Sequence, residues 1–291
     1  MRAVALDADG LPELVEVPQP TGPGLLVRVR ACGLCGSDVE KLGRAHAGTV
    51  LGHEVEGELD NGDRVTVVHH VPCGTCERCR SGHQSTCGEF RETRIEPGGF
   101  AQYLRATHCV PLPPSLGELD GVWVEPLACI LRAAELVSRG RVLVVGCGAV
   151  GLLWTQVLAR RGCRVVPLDP RRDRLELALA AGAREDDDPV SAAVVTAPGG
   201  INDALQRLEP GGSLVLFAAA PRDQPTALDA IYRKELTVVG SRSATPPYFR
   251  RALELLPSLR LPRVTRLPLD RFLEGVELYR RGEVLKVVFT P

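Results

Sequence analysis

The fold class predicted is α/β: a mainly β part comes first, followed by a doubly wound parallel sheet. Three observations predict it. Up to about Arg105 apolar residues recur in twos and no long helical period appears; from Arg141 short apolar runs alternate with helical patterns; and the first of those runs ends in Gly146-Cys147-Gly148-Ala149-Val150-Gly151, which opens a helix. The chain has 291 residues, 44% hydrophobic and 24% charged. That is room for one large or two moderate domains with a real core.

In the first part, Leu26 to Ala31 alternates as a strand, and Asp63 to Val68 is an apolar run opened by the turn Asn61-Gly62-Asp63. Pro111-Leu112-Pro113-Pro114 is stiff punctuation, read as a hinge or boundary. From Val122 a helical pattern begins, carried by Leu127, Ile130, Leu131, Ala134 and Leu136. Then come a buried strand at Arg141–Val145, a helix at Val150–Arg161, a strand at Arg164–Leu168 and a helix at Arg171–Ala181 that stops at Gly182. Ala193–Thr196, Leu214–Phe217 and Leu236–Val239 read as further strands, with a helix around Ile201–Leu208 ended by Pro210-Gly211-Gly212. After Ser243 the pattern gives a helix at Tyr248–Leu256, short extended pieces and a last strand, Val284–Thr290.

The net charge of −1 leaves no basic surplus, which speaks against nucleic acid or an anionic membrane as partner. Lysine occurs only at Lys41, Lys234 and Lys286, so arginine carries almost all positive charge. The N-terminus has acids where a signal peptide needs an apolar core, and the longest apolar run, Val142 to Trp154, is broken by glycines and too short to span a bilayer. A cytoplasmic protein is expected.

Ten cysteines in such a chain favour metal thiolates over disulfides, because four of them are tightly spaced: Cys73, Cys76, Cys79 and Cys87. Four thiolates in a polar loop can enclose one Zn²⁺ tetrahedrally, a closed site that folds the loop and does no chemistry. An iron–sulfur cluster fits the same ligand type.

In the glycine-rich turn, Gly146 allows the tight bend, Gly148 lets backbone approach a pyrophosphate, and Gly151 permits close packing of helix on strand. Ala149 and Val150 begin the helix, whose free N–H groups face the phosphates. Asp169 ends the next strand about 20 residues on, where a carboxylate holds both ribose hydroxyls and repels a 2′-phosphate. NAD is therefore favoured, with NADP left open by Arg171, Arg172 and Arg174.

The cysteine spacing, with GLCGSD around Cys35 and LGHE around His53, resembles the zinc-containing medium-chain dehydrogenases: alcohol, sorbitol, glucose and threonine dehydrogenases. The resemblance runs in order to the segments ELTVVGS and EVLKVVFTP. It implies a GroES-like mainly β catalytic domain (1–121 and 244–291) with the four-cysteine lobe (73–87) as a structural zinc site, and a Rossmann cofactor domain (122–243). It implies two zinc ions per chain. Alone, Cys35 and His53 read as a buried thiol and a hydrogen-bonded imidazole; by resemblance they are catalytic zinc ligands. The third ligand by resemblance is Glu125, as in the sorbitol and glucose branch, or Glu54 in exchange with it. Ser37 matches the relay hydroxyl, and Arg174 the adenosine-side arginine. Where a histidine often continues the relay, this chain has Glu40, which either takes over that role, contacts a sugar hydroxyl or is a solvated acid. Asp38 is read as orienting backbone or the histidine ligand, His46 as a relay candidate, and His69, His70 and Cys129 as structural.

The expected activity is oxidation of a secondary alcohol, a polyol or sugar, by NAD(P). The alternatives are threonine or a simple secondary alcohol as substrate, and a catalytically degenerate zinc- and nucleotide-binding protein. The chain is short for this family: the Cys35-to-His53 interval is compressed, the hairpin after His53 is trimmed, and EDDDPVS replaces a helix before Ala193. A trimmed pocket wall either admits a bulky substrate or is filled by an oligomer partner. The apolar edge strand Leu236–Val239 hints at pairing between subunits, and the resemblance implies a homodimer or homotetramer.

Overall fold

A computed structural model describes residues 1–91, 95–219 and 223–291. In chain order it begins with β1 (Arg2–Leu6), β2 (Pro12–Glu16), β3 (Leu25–Gly33), helix α1 (Gly36–Lys41), β4 (Glu54–Leu59) and β5 (Arg64–Val67). Then follow α2 (Glu77–Arg80), β6 (Ile95–Glu96), β7 (Tyr103–Ala106), β8 (Cys109–Pro111) and α3 (Val124–Ala134). Next come β9 (Arg141–Val145), α4 (Ala149–Arg160), β10 (Arg164–Leu168), α5 (Arg172–Ala180), β11 (Val190–Val195), α6 (Ile201–Arg207) and β12 (Leu208–Leu216). The chain closes with α7 (Leu228–Arg233), β13 (Thr237–Gly240), α8 (Pro246–Leu255), β14 (Val264–Pro268), α9 (Phe272–Arg280) and β15 (Lys286–Thr290).

Two compact units result: Met1–Ala128 with Ser243–Ser258 and Arg263–Pro291, and Cys129–Arg242 with Leu259–Pro262. The first is mainly β. Its large sheet has the order β14-β15-β3-β4-β5-β8, with β7 also on β3 and β6 on β7. Its core includes Phe100, Phe272 and Phe289, whose ring centroids lie 4.6–5.5 Å apart. The proline segment read as a boundary lies inside this unit: Leu112 is buried and its N–H donates to Arg64 O at 2.9 Å. Pinned backbone cannot hinge.

The second unit is a five-stranded parallel sheet in the order β10-β9-β11-β12-β13. β9 (RVLVV) is apolar and buried after Arg141, the pattern of a parallel strand covered on both faces. Helix α4 buries nine residues, among them Leu152, Leu153, Trp154 and Val157, and Trp154 meets Phe217 edge-on at 5.3 Å. The usual doubly wound order has a further strand outside the one corresponding to β10. Here no helix separates α5 from β11, and the sheet stops at β10. Ion pairs close the shortened crossover. Asp186 meets Arg141 at 3.1 Å and Arg164 at 3.0 Å, and Arg207 donates to Asp186 O at 2.6 Å.

Several expected elements differ at their ends, and some were unforeseen. β12 begins at Leu208, directly after α6, through the glycines expected to be a stop. Lys234 Nζ makes the abrupt ending tolerable by donating to Leu205 O, Gln206 O and Leu208 O at 2.7–3.0 Å, a lysine cap on the final carbonyls. The terminal strand begins at Lys286 rather than Val284, and β1, β2, α7 and α9 carried no clear period in the sequence. No helix among the described residues is long and apolar enough to cross a membrane.

Candidate active site

Sheet register explains how a compressed sequence brings Cys35 and His53 together. Strands β3 and β4 are antiparallel, with Gly33 opposite Glu54, so the residues just after β3 and just before β4 are neighbours in space. Cys35 then starts α1, where its N–H donates to Asp38 Oδ2 at 3.1 Å. Asp38 Oδ1 accepts from Gly52 N–H at 3.3 Å and lies 3.3 Å from His53 Nδ1. An imidazole engaged by a carboxylate at Nδ1 has its other nitrogen left for a metal. Burial works against the His53 imidazolium, yet the charge and hydrogen bond of Asp38, with Cys35, raise its pKa well above the usual value. Burial likewise pushes Asp38 up, and His53 pulls it back below the ordinary carboxylate value.

The donor atoms of Cys35, His53 and Glu54 all lie within 4.8 Å of one another. A second trio meets the same limit: His53, His69 and Glu125. A thiolate, imidazoles and carboxylates this close are the donor chemistry zinc takes, so the residues fit the ion. Glu125 sits on the first turn of α3, reached through a buried anchor. Glu56 accepts from Gly121 N–H at 2.9 Å and from Arg64 at 2.7 Å, fixing the turn that leads into the helix.

The other expected residues divide. Ser37 Oγ donates to Cys35 Sγ at 3.4 Å, beside the donor cluster. Glu40 is exposed and belongs to neither trio. Cys129 is buried. His46 is exposed and outside both trios. His69, read as structural, is instead one of the clustered donors. A further residue went unforeseen. β15 runs antiparallel to β3, with Val288 opposite Gly33, which carries Lys286 to the same spot. The Lys286 ammonium contacts the Glu54 carboxylate and donates to Leu34 O at 3.1 Å, and both side chains are buried. Burial disfavours that ammonium, but the Glu54 and Cys35 charges keep its pKa above the usual lysine value.

The lobe gathers its four cysteines with donor atoms within 4.8 Å. Cys73 Sγ is 3.6 Å from Cys87 Sγ and 3.9 Å from Cys79 Sγ. Those separations far exceed an S–S bond of about 2.05 Å, and match the ~3.8 Å edge of a tetrahedron with 2.3 Å zinc–sulfur bonds. Backbone N–H groups of Thr75 and Cys76 pull the Cys73 thiol down to about 6.

In the second unit the glycine turn has the expected form. Gly146 has φ +94°, and Gly148 caps α4. A Cβ on Gly151 would sit 1.8 Å from Gly146 O, whereas one on Gly148 would meet nothing nearer than Arg174 NH1 at 3.9 Å. The loop is closed on its helix side and open at Gly148, under the Arg174 guanidinium. Asp169 is buried and accepts from Cys147 N–H at 2.7 Å and Arg171 N–H at 2.9 Å. Two of its roughly four lone-pair sites are thus used, leaving capacity for ribose hydroxyls. Gly151→Ala is expected to push the loop off α4 at an overpacking cost of roughly 1–3 kcal/mol, weakening dinucleotide binding about ten- to hundredfold. Titration by NADH fluorescence checks this, and parent-like affinity would refute the role of the packing.

Residues 22–114 match the model of the alcohol dehydrogenase GroES-like domain. D-altritol 5-dehydrogenase of Agrobacterium fabrum is 30% identical over 286 residues, covering 84% of each chain. L-galactonate-5-dehydrogenase of Escherichia coli is 29% identical, covering 83% of this chain and 82% of that protein. The solved galactitol-1-phosphate dehydrogenase of Escherichia coli superposes with TM-score 0.84 at 26% identity, covering both chains completely. Alongside a mainly β unit, a doubly wound unit and clustered donors suited to zinc, these matches show that the chain belongs to the zinc-dependent medium-chain dehydrogenase family.

Proposed function

We propose that the chain oxidises a secondary alcohol of polyol or sugar type and passes the hydride to a nicotinamide dinucleotide. The observation that carries this is the cluster of Cys35, His53 and Glu54 with His53 oriented by Asp38, supported by relatives that act on altritol, galactonate and galactitol phosphate. Catalytic work is assigned to the first unit and dinucleotide binding to the second.

A zinc ion held by Cys35, His53 and a glutamate supplies Lewis acidity that lowers the pKa of a substrate hydroxyl. Asp38 keeps the His53 ring in one tautomer and one orientation. Ser37, one hydroxyl from the Cys35 sulfur, is suited to take the alcohol proton and pass it outward. Gly146 and Gly151 let the turn pack tightly, and Gly148 leaves room for the pyrophosphate against the N–H groups of Ala149 and Val150, with Arg174 over the open side. Asp169 favours NAD, since a buried carboxylate repels a 2′-phosphate. A second zinc belongs in the Cys73–Cys76–Cys79–Cys87 lobe. Such thiolates persist in a reducing compartment, hence a cytoplasmic assignment. A homodimer or homotetramer is favoured by the edge position of β13 and by exposed Leu228 and Tyr232 on α7.

The test is a panel of alditols, sugars, threonine and simple secondary alcohols offered with NAD and with NADP, followed by nicotinamide absorbance. Oxidation of alditols with NAD is expected. Turnover confined to threonine or to simple alcohols would replace the substrate class, and no turnover with any, in protein holding two zinc ions, would remove the enzymatic reading.

A further inference from the structure

We propose that His69 is itself a ligand of the catalytic metal, completing with His53 and Glu125 a donor set that overlaps the Cys35–His53–Glu54 set at His53. This rests on the reading of the centre as a catalytic zinc site.

Geometry first sets the trio apart. His69 follows β5 and is buried, its ring centroid 4.8 Å from that of His53, and its donor atom lies within 4.8 Å of those of His53 and Glu125. A ring column holds it there. His70 packs on His69 at 4.2 Å and Phe90 stacks on His70 at 4.9 Å, so His69 has little room to swing away. Two imidazoles and one carboxylate form a complete three-ligand set that leaves a fourth position open, a composition that catalytic zinc uses on unrelated folds.

Charge then separates the two sets. Glu54, the carboxylate of the Cys35 set, is already engaged by the buried Lys286 ammonium, so a cation bound there has to share that carboxylate's charge with the ammonium. The His69 set carries no such debt toward Lys286. With one anionic ligand and two neutral ones, it leaves a bound dication with a net charge of about +1, a stronger electrophile than a set containing both a thiolate and a carboxylate. His53 is common to both, so a single ion can be held by either trio while keeping one ligand.

The metal readouts are taken on the full-length protein with zinc retained in the cysteine lobe. In the unmutated protein with Cu²⁺ in the catalytic centre, pulsed electron paramagnetic resonance is expected to count two coordinated imidazoles. A count of one overturns the proposal without any mutation. His69→Gln is expected to weaken zinc at this centre by more than about 100-fold in competition with a chromophoric chelator, beyond the roughly 10–100-fold that an outer-shell partner costs. It is also expected to change the visible spectrum of the Co²⁺ form, and to change it more than His70→Gln, which removes only the ring packed behind His69. A parent-like Co²⁺ spectrum in His69→Gln overturns the proposal. Cys35→Ser separates the levels: if it loses zinc while His69→Gln does not, only the role of His69 fails, and if neither variant affects metal binding, the reading of the centre fails with it.

Discussion

Replacing Cys35 by serine is expected to cut turnover by about 10³-fold or more while leaving the affinity for NADH nearly unchanged. The size follows from the metal: Lewis-acid stabilisation of a developing alkoxide is worth several kcal/mol, and about 4 kcal/mol corresponds to three decades in rate. Locality follows from where Cys35 sits. It is the N-cap of α1, and serine is a preferred N-cap residue, so the helix start and the Asp38 contact to the backbone N–H both survive. The dinucleotide loop belongs to the other compact unit and contains none of the affected contacts. Steady-state rates with the best alditol, zinc content by atomic absorption and NADH titration together check the outcome. Near-parental rates in a serine variant that has lost one zinc would remove the metal from the chemistry.

Much of this centre could be read before any coordinates, and the reasons are physical. The glycine turn is legible because backbone geometry leaves no choice: a residue at φ +94° and a helix position whose would-be Cβ lies 1.8 Å from the Gly146 carbonyl oxygen both demand glycine. The cysteine lobe is legible because its ligands are close in sequence and its surroundings too polar for a core. Cys35 and His53 needed their flanking motifs, since the register of β3 against β4 that unites them leaves no local trace. His69 and Lys286 were missed for the same reason at longer range: Lys286 reaches Glu54 across 232 positions of sequence. One signal was available. In a chain that uses arginine almost everywhere, a lysine lies inside the apolar strand KVVFT, where a charge is costly unless paired. Glu40 shows the converse difficulty. Its position matched a relay, but a place in the motif says nothing of side-chain direction, and on α1 it faces solvent.

Loss of the lobe metal should have the largest effect on stability, and Cys87→Ser is the variant chosen to cause it. Cys87 is buried, accepts from Cys73 N–H and lies 3.6 Å from the Cys73 sulfur. Besides its cysteines, the lobe's apolar cluster contains only Phe90 among the described residues. Burying one phenylalanine contributes about 1.5–3 kcal/mol, whereas structural zinc in small domains binds with roughly 10–16 kcal/mol. With the proposed zinc in place the metal therefore holds the lobe, and a hydroxyl in place of one thiolate is expected to leave it unfolded locally. Zinc content should fall by one per chain, and trypsin should cut rapidly after the exposed Arg78 or Arg80. The consequence should reach the chemistry as well. Phe90 is the base of the ring column His53–His69–His70–Phe90, so its release frees His70 and then His69 at the donor cluster. Activity is accordingly expected to drop in a variant whose substituted atom touches none of the reacting groups. A Cys87→Ser protein that resists trypsin like its parent and keeps its full zinc would show that the lobe stands on its side-chain packing, and that the column needs no metal beneath it.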